Sequence, residues 1–204
     1  MGRVIVRVLV ACEFSGIVRD AFIARGHDAW SCDYLPSERG NPHIQGNVFE
    51  HLHKGWDALI AFPSCTFLAN SGVRWLYRKD GSVDPVRWAN MLHACEFFND
   101  LLSADIPKIS LENPIQHKHA RERICYAGTI RPRPYDQIIQ PWMFGHGETK
   151  ATCLWLKNLP PLTPTNIVSG RVPRVHHESP GENRWKNRSR TYEGIANAMA
   201  EQWG

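Results

Sequence analysis

Hydrophobic residues in this chain fall into short β-branched runs separated by turns, and into two longer stripes with helical spacing. Val4 to Val10, VIVRVLV, reads as a first strand. Ser15-Gly16 breaks it, and Ile17 to Arg25 carries helical spacing through Val18, Phe22 and Ile23 before a C-terminal stop at Gly26. His27 to Cys32 gives a second strand closed by Asp33, and His43 to Val48 a third strand end with Asn47 at its tip. Asp57 to Phe62 is a wholly apolar run halted by Pro63, the signature of a central strand covered on both faces. Asp84-Pro85 reads as an N-cap and first helical position. The helix it opens carries Trp88, Met91, Leu92, Cys95, Phe98, Leu101 and Leu102 on one stripe. Ile106 to Leu111 is a further strand, ending in Glu112-Asn113-Pro114. Asp136 to Pro141 and Thr152 to Leu156 add two more. Ile167 to Arg188 reads as an irregular loop, and Arg190 to Trp203 as a closing helix. Strands alternating with helices predict an α/β fold with a mostly parallel sheet and helices on both faces. The whole chain, 1–204, is expected to form a single domain.

Open α/β sheets bind ligands beyond the carboxyl ends of their strands. Two predicted strand ends deliver reactive groups there: Cys65, two residues after Pro63, and Glu112. A thiolate can add to C6 of a pyrimidine ring, and a carboxyl group can hold the ring's N3 and exocyclic edge. C5 then becomes nucleophilic. Burial raises a carboxyl pKa, and a protonated Glu112 donates to the N3 of cytosine, whereas an ionised one suits uracil. The base therefore stays open between the two. Asp33, closing the second strand, suits ribose hydroxyls or a plain structural strand end, since the first turn lacks the full G-x-G-x-x-G pattern.

Composition narrows the class without choosing a substrate. The chain is 43% hydrophobic and 22% charged, as expected of a globular protein, and its net charge of +4 is mildly basic. Basic stretches such as HKHARER and RPRP suit phosphate contact as well as a solvated face. No apolar run approaches a membrane span, so no membrane association is expected. Six cysteines are scattered without a CxxC pair, which fits a reducing cytoplasm rather than a disulfide scaffold. The pairs His51/His53 and His117/His119 have no evident third ligand, so no metal is expected.

In order along the chain, these residues resemble the cytosine-C5 DNA methyltransferases, which use S-adenosylmethionine. ACEFSG (11–16) is similar to that family's F-x-G turn, Pro63-Ser64-Cys65 to its Pro-Pro-Cys motif, and Glu112-Asn113-Pro114 matches its Glu-Asn-Pro motif outright. Arg131-Pro132-Arg133 resembles its Arg-x-Arg motif, and Thr191 to Ala196 its closing motif. The resemblance implies a Rossmann-like methyltransferase sheet. It implies Cys65 and Glu112 as catalytic residues, and S-adenosylmethionine contacts from Phe14, Ser15, Gly16, Asp33, Asn47, Pro63 and Thr191. It places Ser64, Asn113, Pro114, Arg131 and Arg133 at the substrate. The PWMFGHGETKATCLWLKNLPPL stretch looks most like the short, often phage-encoded members.

Three departures stand out, the largest of them length. Ser64 replaces the family's middle proline, and the first turn has a single glycine. The segment from Pro134 to Ser189 must also supply core strands, so it leaves little room for a target-recognition domain. Three readings follow: methylation of DNA with slight specificity or with specificity from a partner or homo-oligomer, the same chemistry on a free pyrimidine nucleotide or modified base, and a non-catalytic protein binding S-adenosylmethionine or nucleic acid. For duplex DNA the target base must be flipped out of the stack, with Asn70 to Lys79 and Ile167 to Arg188 as candidate gap-filling loops.

Overall fold

The computed structural model describes residues 4–204. Seven strands form one sheet: β1 (Arg7–Ala11), β2 (Asp28–Asp33), β3 (His43–Gln45), β4 (Ala58–Ala61), β5 (Lys108–Pro114), β6 (Gln137–Ile139) and β7 (Thr152–Lys157). Their spatial order is β3-β2-β1-β4-β5-β7-β6. The first five run parallel; β7 is antiparallel to both β5 and β6. This is a Rossmann-like α/β sheet, mostly parallel.

The period of two along the central strands divides the core. Leu9, Ala11, Leu59, Ala61, Cys153 and Trp155 face one layer, where helix α2 (Pro85–Leu102) supplies Met91, Cys95, Phe98 and Leu101. Val8, Val10, Ala58, Ile60, Leu154 and Leu156 face the other. There α1 (Ile17–Ile23) and α6 (Glu193–Trp203) bring Val18, Phe22, Ile195, Met199 and Trp203. Helices thus cover both faces. Gly194, in the first turn of α6, is required by close approach: a Cβ there would fall 1.8 Å from the Phe144 carbonyl oxygen.

Several predicted boundaries move. The first strand begins at Arg7, since Val4 and Ile5 lie exposed before it. The predicted cap of α2 is present, with Asp84 Oδ1 accepting from the Arg87 amide at 2.9 Å. The fifth strand does not stop before Glu112. It runs to Pro114, because β7 pairs alongside with Glu112 opposite Leu154 and Pro114 opposite Thr152. The loop expected over 167–188 contains two short helices, α4 (Arg174–His177) and α5 (Arg184–Ser189). A further short helix, α3 (Lys118–Arg121), follows β5. Among the described residues no helix is long and apolar enough to cross a membrane, and no group of three His, Cys, Asp or Glu is placed to hold a metal. All six cysteines are free.

Arg19 fixes the far edge of the ligand crevice. Its side chain is fully buried, and Nη1 donates to Ser31 Oγ, Ser37 Oγ and the carbonyls of Gly40 and Pro42 at 2.7–3.2 Å. One residue of α1 therefore moors the whole connection from β2 to β3. Replacing Arg19 with Met leaves buried acceptors unpaired, each worth about 1–3 kcal/mol and not additive. We expect Arg19→Met to lower stability by about 3 kcal/mol in urea denaturation; a loss below about 0.5 kcal/mol would show that the connection holds without it.

Candidate active site

Strand order reverses between β1 and β4, so a crevice opens beyond their carboxyl ends. From β1 comes the turn Cys12 to Gly16. Gly16 sits at φ +72°, where a side chain would be strained. Glu13 folds back across the start of α1: its carboxyl accepts from the Val18 amide at 2.7 Å, the Arg19 amide at 3.3 Å and the Ser15 hydroxyl at 3.2 Å. Burial dominates over these bonds and pushes the Glu13 carboxyl up to about 7. The free amides of this helix start are thereby occupied from within, and no cradle for a phosphate remains.

From β2, Asp33 accepts the Leu35 amide at 2.9 Å, and burial holds its carboxyl above the usual range. Asn47 uses Oδ1 to cap the single turn Val48–Glu50 through the Phe49 amide. Phe14 is buried, and the ring of Trp185 on α5 lies 5.8 Å from it. Arg190 adds a paired contact to Glu38 at 2.6 and 2.9 Å, so the segment after α4 lies across the Phe14 side of the crevice.

The ends of β4 and β5 are tied by one buried bond. Asn113 Nδ2 donates to the Pro63 carbonyl at 2.8 Å. Beyond it the two loops zip together: the His117 amide donates to Leu68 O and the Asn70 amide to Ile115 O. Cys65 caps the resulting turn, its carbonyl accepting from the amides of Leu68 and Ala69. Ser64 is exposed, its hydroxyl 3.1 Å from that of Thr66.

Glu112 lines a narrow pocket with Phe62, Lys150, Thr152, Thr191 and Tyr192. Burial raises its carboxyl, against the opposing pull of the Lys150 ammonium and the Thr152 hydroxyl. Cys65 is exposed at the surface, yet the protein crowded behind its thiol pushes it up, and the Glu112 carboxylate pushes the same way. Lys150 and Arg188 oppose both. Lys150 Nζ in turn donates to the Arg188 carbonyl at 2.9 Å, which ties the segment carrying Arg188 to the pocket.

Of the residues singled out in the sequence, the structure gathers Cys65, Glu112, Pro63, Asn113 and Pro114 at adjoining strand ends and sets Thr191 in the Glu112 pocket. Phe14, Ser15, Gly16, Asp33 and Asn47 edge the neighbouring crevice. Arg131 and Arg133 are not brought to the Glu112 pocket. Arg131 is exposed over the Tyr126 ring, and Arg133 is held by Asp136 and by the Leu156 carbonyl, level with Ser110, two residues back from Glu112. The cations facing Cys65 are instead Lys150 and Arg188, which sequence reasoning missed. Lys150 lies two residues before β7, but only the reversal of β7 reveals that its start lies beside the end of β5.

No family model and no curated protein matches the chain. Among solved structures it is similar to the crystal structure of the S. pombe Dnmt2 methyltransferase, with 16% sequence identity and a TM-score of 0.40, over 83% of this chain and 53% of that one. The chain thus spans about half the length of that structure.

The charges around Cys65 set a pH profile. Thiolate is the form that alkylates, so the rate of iodoacetamide labelling at Cys65, read by mass spectrometry, should rise with a midpoint above that of an ordinary thiol. Lys150→Met removes a cation that favours thiolate and should move the midpoint up. Glu112→Gln removes a carboxylate that disfavours it and should move the midpoint down. A reversed sign in either variant would contradict the arrangement.

Proposed function

We propose that the protein methylates C5 of cytosine in DNA, with S-adenosylmethionine as methyl donor. The observation that carries this reading is the Cys65 thiol and the half-buried Glu112 carboxyl, raised by desolvation, delivered at the ends of adjoining parallel strands and tied through Asn113. The crevice beside them fits the cofactor. Glu13 occupies the start of α1 where a dinucleotide would place its pyrophosphate, and its carboxyl suits a neighbour that is cationic rather than anionic. Asp33 can accept from ribose hydroxyls, with Asn47 flanking the adenine and Phe14, Ser15, Gly16, Pro63 and Thr191 the methionine portion. When bound, S-adenosylmethionine supplies an electrophilic methyl group.

The chain's own residues do the rest. Lys150 and Arg188 favour the Cys65 thiolate, whose Sγ adds to C6 of the base. Glu112, whose carboxyl burial shifts towards the protonated form, would in that form donate to N3 and accept from the exocyclic amine, so the electron pair displaced from the C5–C6 bond is held on the ring. C5 is then the nucleophile. Once C5 is alkylated it would lose its proton to solvent, the Sγ–C6 bond would break as the N3 proton returns to Glu112, and thiolate and aromatic ring would be restored. A cytosine within a duplex must leave the stack to reach Cys65.

The test is transfer of labelled methyl groups into DNA, with nucleosides of the product resolved by mass spectrometry. The wild-type protein should yield 5-methylcytosine in DNA and none in free dCMP. Cys65→Ala should lose at least about a thousandfold in rate while binding S-adenosylmethionine normally by calorimetry, and Asp33→Ala should lose that binding. Unchanged transfer by Cys65→Ala would overturn the mechanism, and methylation of dCMP in place of DNA would move the substrate to the free nucleotide.

A further inference from the structure

The stretch from Arg174 to Arg190 leaves the body of the protein and returns to it at one carboxylate. Glu148, whose side chain is 12% exposed, meets Arg174 Nη2 at 3.3 Å and accepts from the Tyr192 hydroxyl at 2.7 Å. Both flanks of this neck are fixed. The Val172 amide donates to the Gly147 carbonyl and its carbonyl accepts from the Thr149 amide, while Gly194 packs against the Phe144 carbonyl. Between the flanks the chain is lightly held. Neither α4 nor α5 has a side-chain cap, and α5 has no buried residue. Few buried apolar contacts mean a low cost of local opening, so this stretch opens more readily than the core around it.

What the stretch does touch is the crevice. Trp185 sets its ring 5.8 Å from that of Phe14, which is buried. Arg190 forks onto Glu38, with Nε and Nη2 at 2.9 and 2.6 Å from the two carboxylate oxygens. The Glu38 amide in turn donates to the Phe14 carbonyl at 2.9 Å. The ring contact and the ion pair therefore close on the same turn from two directions. Lys150 Nζ adds a third attachment through the Arg188 carbonyl.

We propose that residues 174–190 form a lid over the cofactor crevice, hinged at the Glu148 neck and latched by the Glu38–Arg190 pair, which opens to admit and release S-adenosylmethionine. The proposal rests on the cofactor part of the function proposed above. Trp185 lies against the Phe14 ring, so a ligand reaching that side of the ring displaces it. The latch suits reversible closure: both side chains are 33% exposed, and an ion pair open to water is weak. The lid also carries Arg188, one of the two cations that act on the Cys65 thiol. Closure over the cofactor thus brings that charge to the nucleophile, and an open lid withdraws it.

The test is hydrogen–deuterium exchange read by mass spectrometry, without cofactor, on the wild-type protein and on Glu38→Gln and Arg190→Gln. Each variant breaks the latch from one side. Each should raise exchange over 184–190 and over 12–16 together by about fivefold, the upper end for one exposed ion pair, with β4 unchanged as a check on the fold. Unchanged exchange over 184–190 in both variants overturns the latch. A rise confined to 184–190 overturns the lid, because the segment then leaves without uncovering the turn. Stopped-flow binding of S-adenosylmethionine is the second arm: association and dissociation should both quicken by the same factor in each variant. Rates left unchanged where exchange has risen overturn the gating role. Failure of the wild-type protein to bind S-adenosylmethionine contradicts the proposed cofactor instead and leaves exchange over 12–16 to decide the lid, so the two failures are separable.

Discussion

The hydrogen bond from Asn113 Nδ2 to the Pro63 carbonyl couples the two halves of the candidate site. Pro63 ends the pairing of β4 and sends the chain towards Cys65; Asn113 sits one residue past Glu112. Neither strand end alone fixes the distance between thiol and carboxyl. The bond does, and it is buried, so no water competes for it. The loop ladder through Leu68, Ala69 and Gln116 extends the same coupling outward.

Electrostatics then sets the resting state of the pair. A carboxylate beside a thiol disfavours thiolate, and burial acts on both groups in the same direction. Both effects shift the thiol away from its nucleophilic thiolate form. Lys150 and Arg188 supply the opposing charge, and they come from segments far along the chain. Protonation of Glu112 would relieve the repulsion on Cys65, so binding a base whose N3 accepts a proton-bearing carboxyl also favours the nucleophile. Under the proposed mechanism, the conflict between the two groups would become a preference for cytosine over uracil.

Much of the fold was legible because its signals are local. A β-branched run, a Pro stop, an Asp-Pro cap and a 3.6-residue stripe each depend on a few neighbouring residues, and α2 with Asp84 appears as its spacing predicts. The end of β5 was not, because a proline after Glu112-Asn113 reads as a terminator until an antiparallel neighbour pairs alongside. In the site, Cys65 and Glu112 stood out as polar residues at the ends of apolar runs. Lys150 and Arg188 did not, since nothing in their local sequence distinguishes them from surface charge; only strand direction and the course of the segment around α5 bring them to the thiol. Arg131 and Arg133 show the converse: a motif-like spacing that the chain spends on Tyr126, Asp136 and the Leu156 carbonyl.

The central claim is that Cys65 bonds to C6 of a cytosine during the reaction. An oligonucleotide carrying 5-fluorocytosine at every cytosine tests it directly. Fluorine at C5 cannot leave as the proton does, so the Sγ–C6 bond persists once C5 has been methylated. With S-adenosylmethionine present, the account predicts a denaturation-resistant protein–DNA adduct whose cross-linked peptide contains Cys65, and none with Cys65→Ser. An adduct at another residue, or methylation of ordinary cytosine without any adduct on the fluorinated strand, would contradict it.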